Sequence, residues 1–251
     1  MSLHHVVTGR HDGPAVVLSG SLGSALEMWD ANVPALEEHF RVVRYDTRGH
    51  GRSPVLPGPT TIDALADDLV TLLDEVGADR AHLVGLSLGG MTALRVAARN
   101  PERVDRLAVL CTSAHLGPAR NWTDRAALVR AEGTRAVAEA VVQRWFTPAY
   151  GDRARWEAMV AATPAEGYAG CCEAIAAMDQ RADLHRITVP TLAIAGADDP
   201  ATPPHHLEEI ADSVQDGRLL VVPQAAHLAN AEQPARISAA IIDHLTKESR
   251  S

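Results

Sequence analysis

Three side-chain types in this chain could combine for nucleophilic acyl transfer: a serine, a histidine and an aspartate, each placed where a loop would leave a strand. The serine stands in Gly85-Leu86-Ser87-Leu88-Gly89-Gly90, directly after the apolar run Ala81-His82-Leu83-Val84 and before a helical segment. So sharp a turn needs small residues on both sides, and it lifts Ser87 Oγ to the N-terminus of the following helix. There the Leu88 N–H and the helix dipole can stabilise an oxyanion. With glycine at roughly 7% of residues, G-x-S-x-G arises by chance in about one chain in ten of this length. Its weight comes from the strand-to-helix setting.

A hydroxyl is a poor nucleophile until a base takes its proton. Of twelve histidines, His227 follows the last predicted strand, from which a loop can reach back across the carboxyl ends of a parallel sheet. His115, also after a strand end, is the rival. His82 lies within a strand, and His185 and His244 read as cap and helix surface. The adjacent His205 and His206 cannot readily share one face, and no H-E-x-x-H accompanies them. The base needs an acid to hold its tautomer. Asp198 and Asp199, in the turn Gly196-Ala197-Asp198-Asp199-Pro200, are both placed for it, giving the order Ser, Asp, His. A second oxyanion donor belongs in the loop Ser19-Gly20-Ser21-Leu22-Gly23-Ser24, where small residues permit close backbone approach; the Leu22 N–H is the expected group. Asp46, Arg48 and Ser53, in the turn after Tyr45, read as a buried Asp–Arg network that fixes the loop.

The elements that must position these groups are βα units around a largely parallel sheet. Predicted strands are Ala15–Leu18, Arg41–Tyr45, Ala81–Val84, Arg106–Cys111, Thr191–Ala195 and Arg218–Val222, with a weaker edge strand within Leu3–Thr8. Their near-continuous Val, Leu, Ile and Ala content fits strands covered on both faces. Predicted helices are Thr61–Val76, with Thr61 as N-cap and Gly77 past its end, then Leu88–Arg99, Pro204–Asp212 and Gln233–Leu245. From about Leu116 to Arg186 the alternation breaks into consecutive helices. That predicts a core of residues 1–115 and 187–251 and a helical cap of residues 116–186.

The 251 residues, 46% hydrophobic, suit one sizeable domain with such an insertion. A formal charge of −9 argues against a nucleic-acid partner, which would need a basic face. It leaves room for an anionic small molecule held by a few local arginines. Three cysteines, two of them adjacent, make neither a disulfide framework nor a C-x-x-C pattern. A cytoplasmic location is expected, with no signal peptide, no membrane span and no metal. The oligomeric state is not legible.

Across nearly the whole chain the sequence resembles the 3-oxoadipate enol-lactonases, within the α/β-hydrolase superfamily. The superfamily marks are Arg44-Tyr45-Asp46 with its Gly-His-Gly turn, Gly-Leu-Ser-Leu-Gly-Gly, Gly196-Ala197-Asp198-Asp199 and Ala226-His227. Narrower marks are Ser21-Leu22-Gly23 with Met28-Trp29, Arg44 through Gly51, Arg144-Trp145-Phe146-Thr147, and Gly167-Tyr168 followed by Cys172-Glu173-Ala174-Ile175. The chain departs from that pattern at Gly20, Leu88 and Cys171, where those enzymes carry Asn, Met and Asn.

The resemblance implies an α/β-hydrolase fold with Asp199, the second aspartate, as the acid. It implies opening of a small acidic lactone in the β-ketoadipate pathway, through an acyl-enzyme on Ser87 and without a cofactor. A substrate carboxylate in a net-acidic protein needs a local cation, and Arg144 beside Trp145 in the cap is the candidate. A carboxylesterase, a carbon–carbon bond hydrolase or a cofactor-free perhydrolase would use the same three residues, and a triad-retaining small-molecule receptor would keep them with slow turnover.

Overall fold

The computed structural model describes residues 2–56 and 60–247. Its elements run β1 (His5–Gly9), β2 (Ala15–Ser19), α1 (Val33–Glu37), β3 (Arg41–Tyr45), α2 (Ile62–Glu75), β4 (Ala81–Leu86), α3 (Leu88–Arg99) and β5 (Val104–Leu110). Four helices follow: α4 (Ala119–Glu132), α5 (Arg135–Trp145), α6 (Ala154–Ala161) and α7 (Ala165–Ala177). The chain then returns through β6 (Thr191–Gly196), α8 (Pro204–Ser213), β7 (Gly217–Val222), α9 (Ala229–Glu232) and α10 (Pro234–Thr246). Seven strands form one sheet in the order β1-β3-β2-β4-β5-β6-β7. β1 pairs antiparallel with β3 and every other pairing is parallel. The fold is thus the α/β class expected. No helix among the described residues is long and apolar enough to cross a membrane.

Successive strand side chains point to opposite faces. Val16 and Leu18 accordingly join one core cluster, with residues of α4 to α7, while Ala15 and Val17 join the other, with α2, α3 and α8. Burial on both faces is why the strands read as unbroken apolar runs. β7 departs from that expectation. It is an edge strand, flanked by β6 on one side alone, and Leu219 and Val221 remain 38% and 39% exposed.

α2 begins as its sequence predicts, with the Thr61 side chain accepting a hydrogen bond from Ala64 N at 3.0 Å. Gly77 takes φ +65° just past its end, a left-handed conformation that glycine adopts without strain. His244 corrects a surface assignment. It is buried on α10, with Nε2 3.0 Å from Leu107 O, and burial pulls its pKa down to about 4. It shares the inward stripe of Ile237 and Ile241 at helical spacing.

The turn after β3 is fixed differently from the expected Asp–Arg pairing. Asp46 accepts from two backbone donors, Leu26 N at 2.7 Å and Arg52 N at 2.9 Å. Ser53 Oγ donates to Asp46 O and accepts from His4 N. Arg48 instead forms a two-pronged pair with Asp68 on α2, at 2.5 and 2.7 Å. Two loops, one leading from β2 and one from β3, therefore hang on a single carboxylate. Removing it in Asp46→Ala strands two backbone N–H groups, and is expected to lower unfolding free energy by about 3 kcal/mol in urea titrations.

Candidate active site

Ser87 links β4 to α3 with φ +55° and ψ −116°, a backbone state that costs about 1–3 kcal/mol and persists only when its surroundings dictate it. They do so here through hydrogen bonds and missing side chains. Ser87 N donates to Leu110 O at 2.9 Å, and Thr112 Oγ1 donates to Ser87 O at 2.7 Å. A Cβ on Gly85 would lie 2.2 Å from Gly89 O, and one on Gly89 would lie 2.2 Å from Ser19 O. The second of these approaches is sealed by Gly89 N donating to Gly20 O at 2.9 Å. The turn around Ser87 is thereby bolted to the loop after β2.

That loop is shaped from within. Ser24 Oγ donates to Ser21 O at 2.7 Å, and Ser21 N points at Met28 Sδ, 3.2 Å away. A side chain at Gly20 would press on Ser24 Oγ and Met28 Sδ at 2.9 and 3.0 Å. Leu22, in the same loop, lines a cavity that also reaches Ser87. Leu88 is the first residue of α3, where a backbone N–H has no acceptor within its own helix.

His227 follows β7 in a loop pinned at both neighbours. Ala226 N donates to Glu232 Oε2 at 2.9 Å, and Leu228 N donates to Trp145 O at 2.8 Å. Glu232 also takes Thr147 N at 3.1 Å, so one carboxylate joins the histidine loop to the segment after α5. The His227 ring places Nδ1 2.8 Å from Asp199 Oδ2. Asp199 is further held by Thr202 Oγ1 at 2.7 Å and by Ala201 N and Thr202 N at 2.8 and 3.1 Å. Asp198 is exposed, and its N–H is tied to Ala225 O. Of the two aspartates, the ring meets Asp199.

Ser87 and His227 share one cavity of about 180 Å³. No hydrogen bond joins the Ser87 hydroxyl to the imidazole in this structure, and catalytic hydrogen bonds of this kind often tighten only in the complex with substrate. His115 turns elsewhere, with Nδ1 3.1 Å from Met178 O. The Cys111 thiol, buried beside Asp199, is pushed up by burial and by that carboxylate, so it stays protonated. Among the described residues no three His, Cys, Asp or Glu side chains are arranged to hold a metal ion.

Arg144 and Trp145 both line the cavity. Burial and the nearby Arg125 charge pull the Arg144 pKa down. Sequence reasoning gave Tyr168, which lines it too, no role beyond that of a family mark, and passed over Arg125, also on the lining, and Thr202 and Glu232, which hold Asp199 and the His227 loop. A faint signal existed for Arg125. It stands one helical turn from Trp122, whose ring its guanidinium covers at 4.7 Å, and both face the cavity. Among the described lining residues none is acidic, although the chain carries a formal charge of −9.

The family model for the alpha/beta hydrolase fold matches residues 14–234, and the chain belongs to that family. Within it, the chain is 37% identical over 246 residues to 3-oxoadipate enol-lactonase 2 of Acinetobacter baylyi, covering 96% of this chain and 92% of that one. The crystal structure of the enol-lactonase from Burkholderia xenovorans LB400 superposes with a TM-score of 0.95 at 40% identity, over 98% of this chain and 96% of the other. A thermophilic esterase from Thermogutta terrifontis, solved with malate bound, gives 0.91 at 31% identity, over 97% and 92%. The enol-lactonase resemblance read from the sequence is borne out.

Burial by itself would raise the Asp199 pKa, but the His227 charge and hydrogen bond and the Thr202 donors bring it from 3.8 to about 2. A carboxylate depressed in the folded state stabilises it above the unfolded value, and that stability is lost as pH falls through the folded one. Asp199→Asn lacks this contribution. The stability gap between wild type and variant should therefore narrow as pH drops from 3.8 to about 2, measured by urea midpoints. A gap that stays constant across this window would mean that the carboxylate is not held this way.

Proposed function

We propose that this chain is a serine hydrolase of small acidic lactones, converting 3-oxoadipate enol-lactone to 3-oxoadipate through an acyl-enzyme on Ser87. The observation that carries the reading is the meeting, in one cavity, of a serine on a strained turn, a histidine hydrogen-bonded to a buried aspartate, and a cationic wall. The similarity to enol-lactonases supports the choice of lactone, and the malate-bound esterase supports a site that accommodates an acidic ligand.

In this reading His227, oriented through Nδ1 by Asp199, uses Nε2 to take the Ser87 proton as Oγ attacks the lactone carbonyl. Negative charge then develops on the carbonyl oxygen, which the Leu22 and Leu88 N–H groups receive. Donors of this kind contribute about 3–4 kcal/mol each in comparable sites. Ring opening expels an enol oxygen, protonated by His227, and the enol tautomerises to a ketone. A water molecule, deprotonated by the same imidazole, then releases the acyl group as a carboxylate. Neither a metal nor an organic cofactor takes part.

Residues 116–186 act as the cap over this cavity, and Arg144 meets the substrate carboxylate beside the Trp145 ring. The cap's attachments support a stable wall: Leu228 N to Trp145 O, and Thr163 Oγ1 to Gly23 O at 3.3 Å. The same reading places the reaction in aromatic catabolism in the cytoplasm, which the free, buried Cys111, Cys171 and Cys172 support.

Turnover of the enol-lactone against short p-nitrophenyl esters tests the reading. Ser87→Ala should lower kcat by about four orders of magnitude or more and abolish labelling by a fluorophosphonate. Retained labelling at another residue would remove Ser87 from the mechanism. Arg144→Ala should raise KM for the acidic lactone far more than for a neutral ester, and equal effects on both would reject its assigned role.

A further inference from the structure

Glu232, the last residue of α9, is a half-buried carboxylate whose hydrogen-bond donors are all neutral and come from two short stretches of chain. One donor is the Ala226 N–H, directly before His227, on Oε2 at 2.9 Å. The others are the Thr147 N–H, on Oε1 at 3.1 Å, and the Thr147 hydroxyl. On the far side of the histidine, Leu228 N donates to Trp145 O at 2.8 Å. Residues 226–228 and 145–147 are therefore joined both directly and through Glu232.

The direct tie cannot be repeated without the carboxylate. Phe146 is extended, with φ −134° and ψ 149°, which turns Trp145 O and Thr147 N to the same side of the chain. Leu228 O cannot receive Thr147 N, because it already accepts Ala231 N and Glu232 N at 2.9 and 3.1 Å. The Ala226 N–H is a donor too, and two donors cannot bond each other. A carboxylate only accepts, with about four acceptor positions, so it turns this meeting of donors into a bridge. Thr147 is itself held from behind, by Arg153 Nη2 on its carbonyl at 2.6 Å. Phe146 stacks on Tyr150, with ring centroids 3.9 Å apart.

Resting on the serine-hydrolase reading above, we propose that Glu232 is a positioning residue for His227, locking the base to the segment that carries the Trp145 wall of the cavity. Asp199 fixes the imidazole at Nδ1, but the reach of Nε2 toward Ser87 depends on where the backbone of residues 226–228 stands. Glu232 sets that backbone relative to a wall of the cavity in which a substrate lies. Substrate and base are thereby registered on one support, and a shift of about 1 Å in such a placement can cost about 100-fold in rate.

Kinetics per active site separate positioning from folding. Fluorophosphonate labelling carried to completion counts the intact sites, and turnover of a neutral p-nitrophenyl ester is divided by that count. Glu232→Ala should lower kcat per labelled site by about 10–100-fold and change KM by less than about threefold. Glu232→Gln keeps one acceptor oxygen but turns an NH2 toward the other donor, so it should recover only part of the loss. Thr147→Val should cost less than Glu232→Ala and add nothing to it, because the carboxylate through which the hydroxyl acts is gone. A Glu232→Ala protein that loses labelled sites but keeps kcat per site overturns the proposal, as do losses from the two substitutions that simply add.

The second measurement needs no turnover. Hydrogen exchange of the backbone amides of Ala226 and Leu228 should speed up at least about tenfold in Glu232→Ala, although the Leu228 N–H bonds Trp145 O rather than Glu232. Leu228 protection unchanged from the wild type overturns the lock, whatever the enzyme hydrolyses. Faster exchange at both amides in a protein that turns over no ester or lactone would uphold the tie between the two segments and remove the hydrolase reading instead.

Discussion

The close approach of the α3 N-terminus to the end of β2 is the contact on which the arrangement of this site depends. Backbone meets backbone there, with the Gly89 N–H on the Gly20 carbonyl and no room for a side chain at Gly89. One hydrogen bond and one missing Cβ bring the loop bearing Leu22 beside the turn bearing Ser87. The strained dihedrals of Ser87 follow from the same contact, since β4 must reverse into α3 within a single residue. Parallel strands on either side, each buried on both faces, keep the platform from yielding.

The histidine and aspartate are positioned by longer reach. His227 and Asp199 leave the carboxyl ends of β7 and β6, and their hydrogen bond forms because Gly196 lets the Ala225–Ala226 backbone pass within van der Waals range. Glu232 then ties this loop to the helical insertion. The helical insertion also lines the cavity that Ser87 reaches. It places Arg125, Arg144 and Tyr168 on that lining, which includes no acidic residue among those described, in a protein whose net charge is negative. A cavity with low-dielectric walls concentrates the field of such groups, so a few residues can outweigh the net charge locally.

Most of the sheet and the turn at Ser87 were legible because they depend on local pattern. Apolar runs of strand length, the glycines flanking the serine and the Thr61 cap each express a constraint acting within a few residues. The arginine wall was only half legible. Arg144 stood out beside Trp145, whereas Arg125 and Tyr168 lie on different helices whose crossing no short-range pattern encodes. His244 misled for a related reason: a polar side chain on a helix reads as surface until its carbonyl partner, Leu107 O, is known to lie opposite. For Asp46, an arginine two residues away suggested an ion pair, but Arg48 found Asp68 on α2 and left two backbone donors to the carboxylate.

The amino-acid order by itself determined the βα alternation, the sites of chain reversal and the identities of the groups able to do acyl chemistry, because these follow from periodicity and from the conformational limits of single residues. Only the tertiary structure decided which aspartate meets the imidazole and which cations face the cavity. Those outcomes depend on distances between segments far apart in the chain. Such distances are set by the packing of whole faces against one another, and no individual residue carries a record of them.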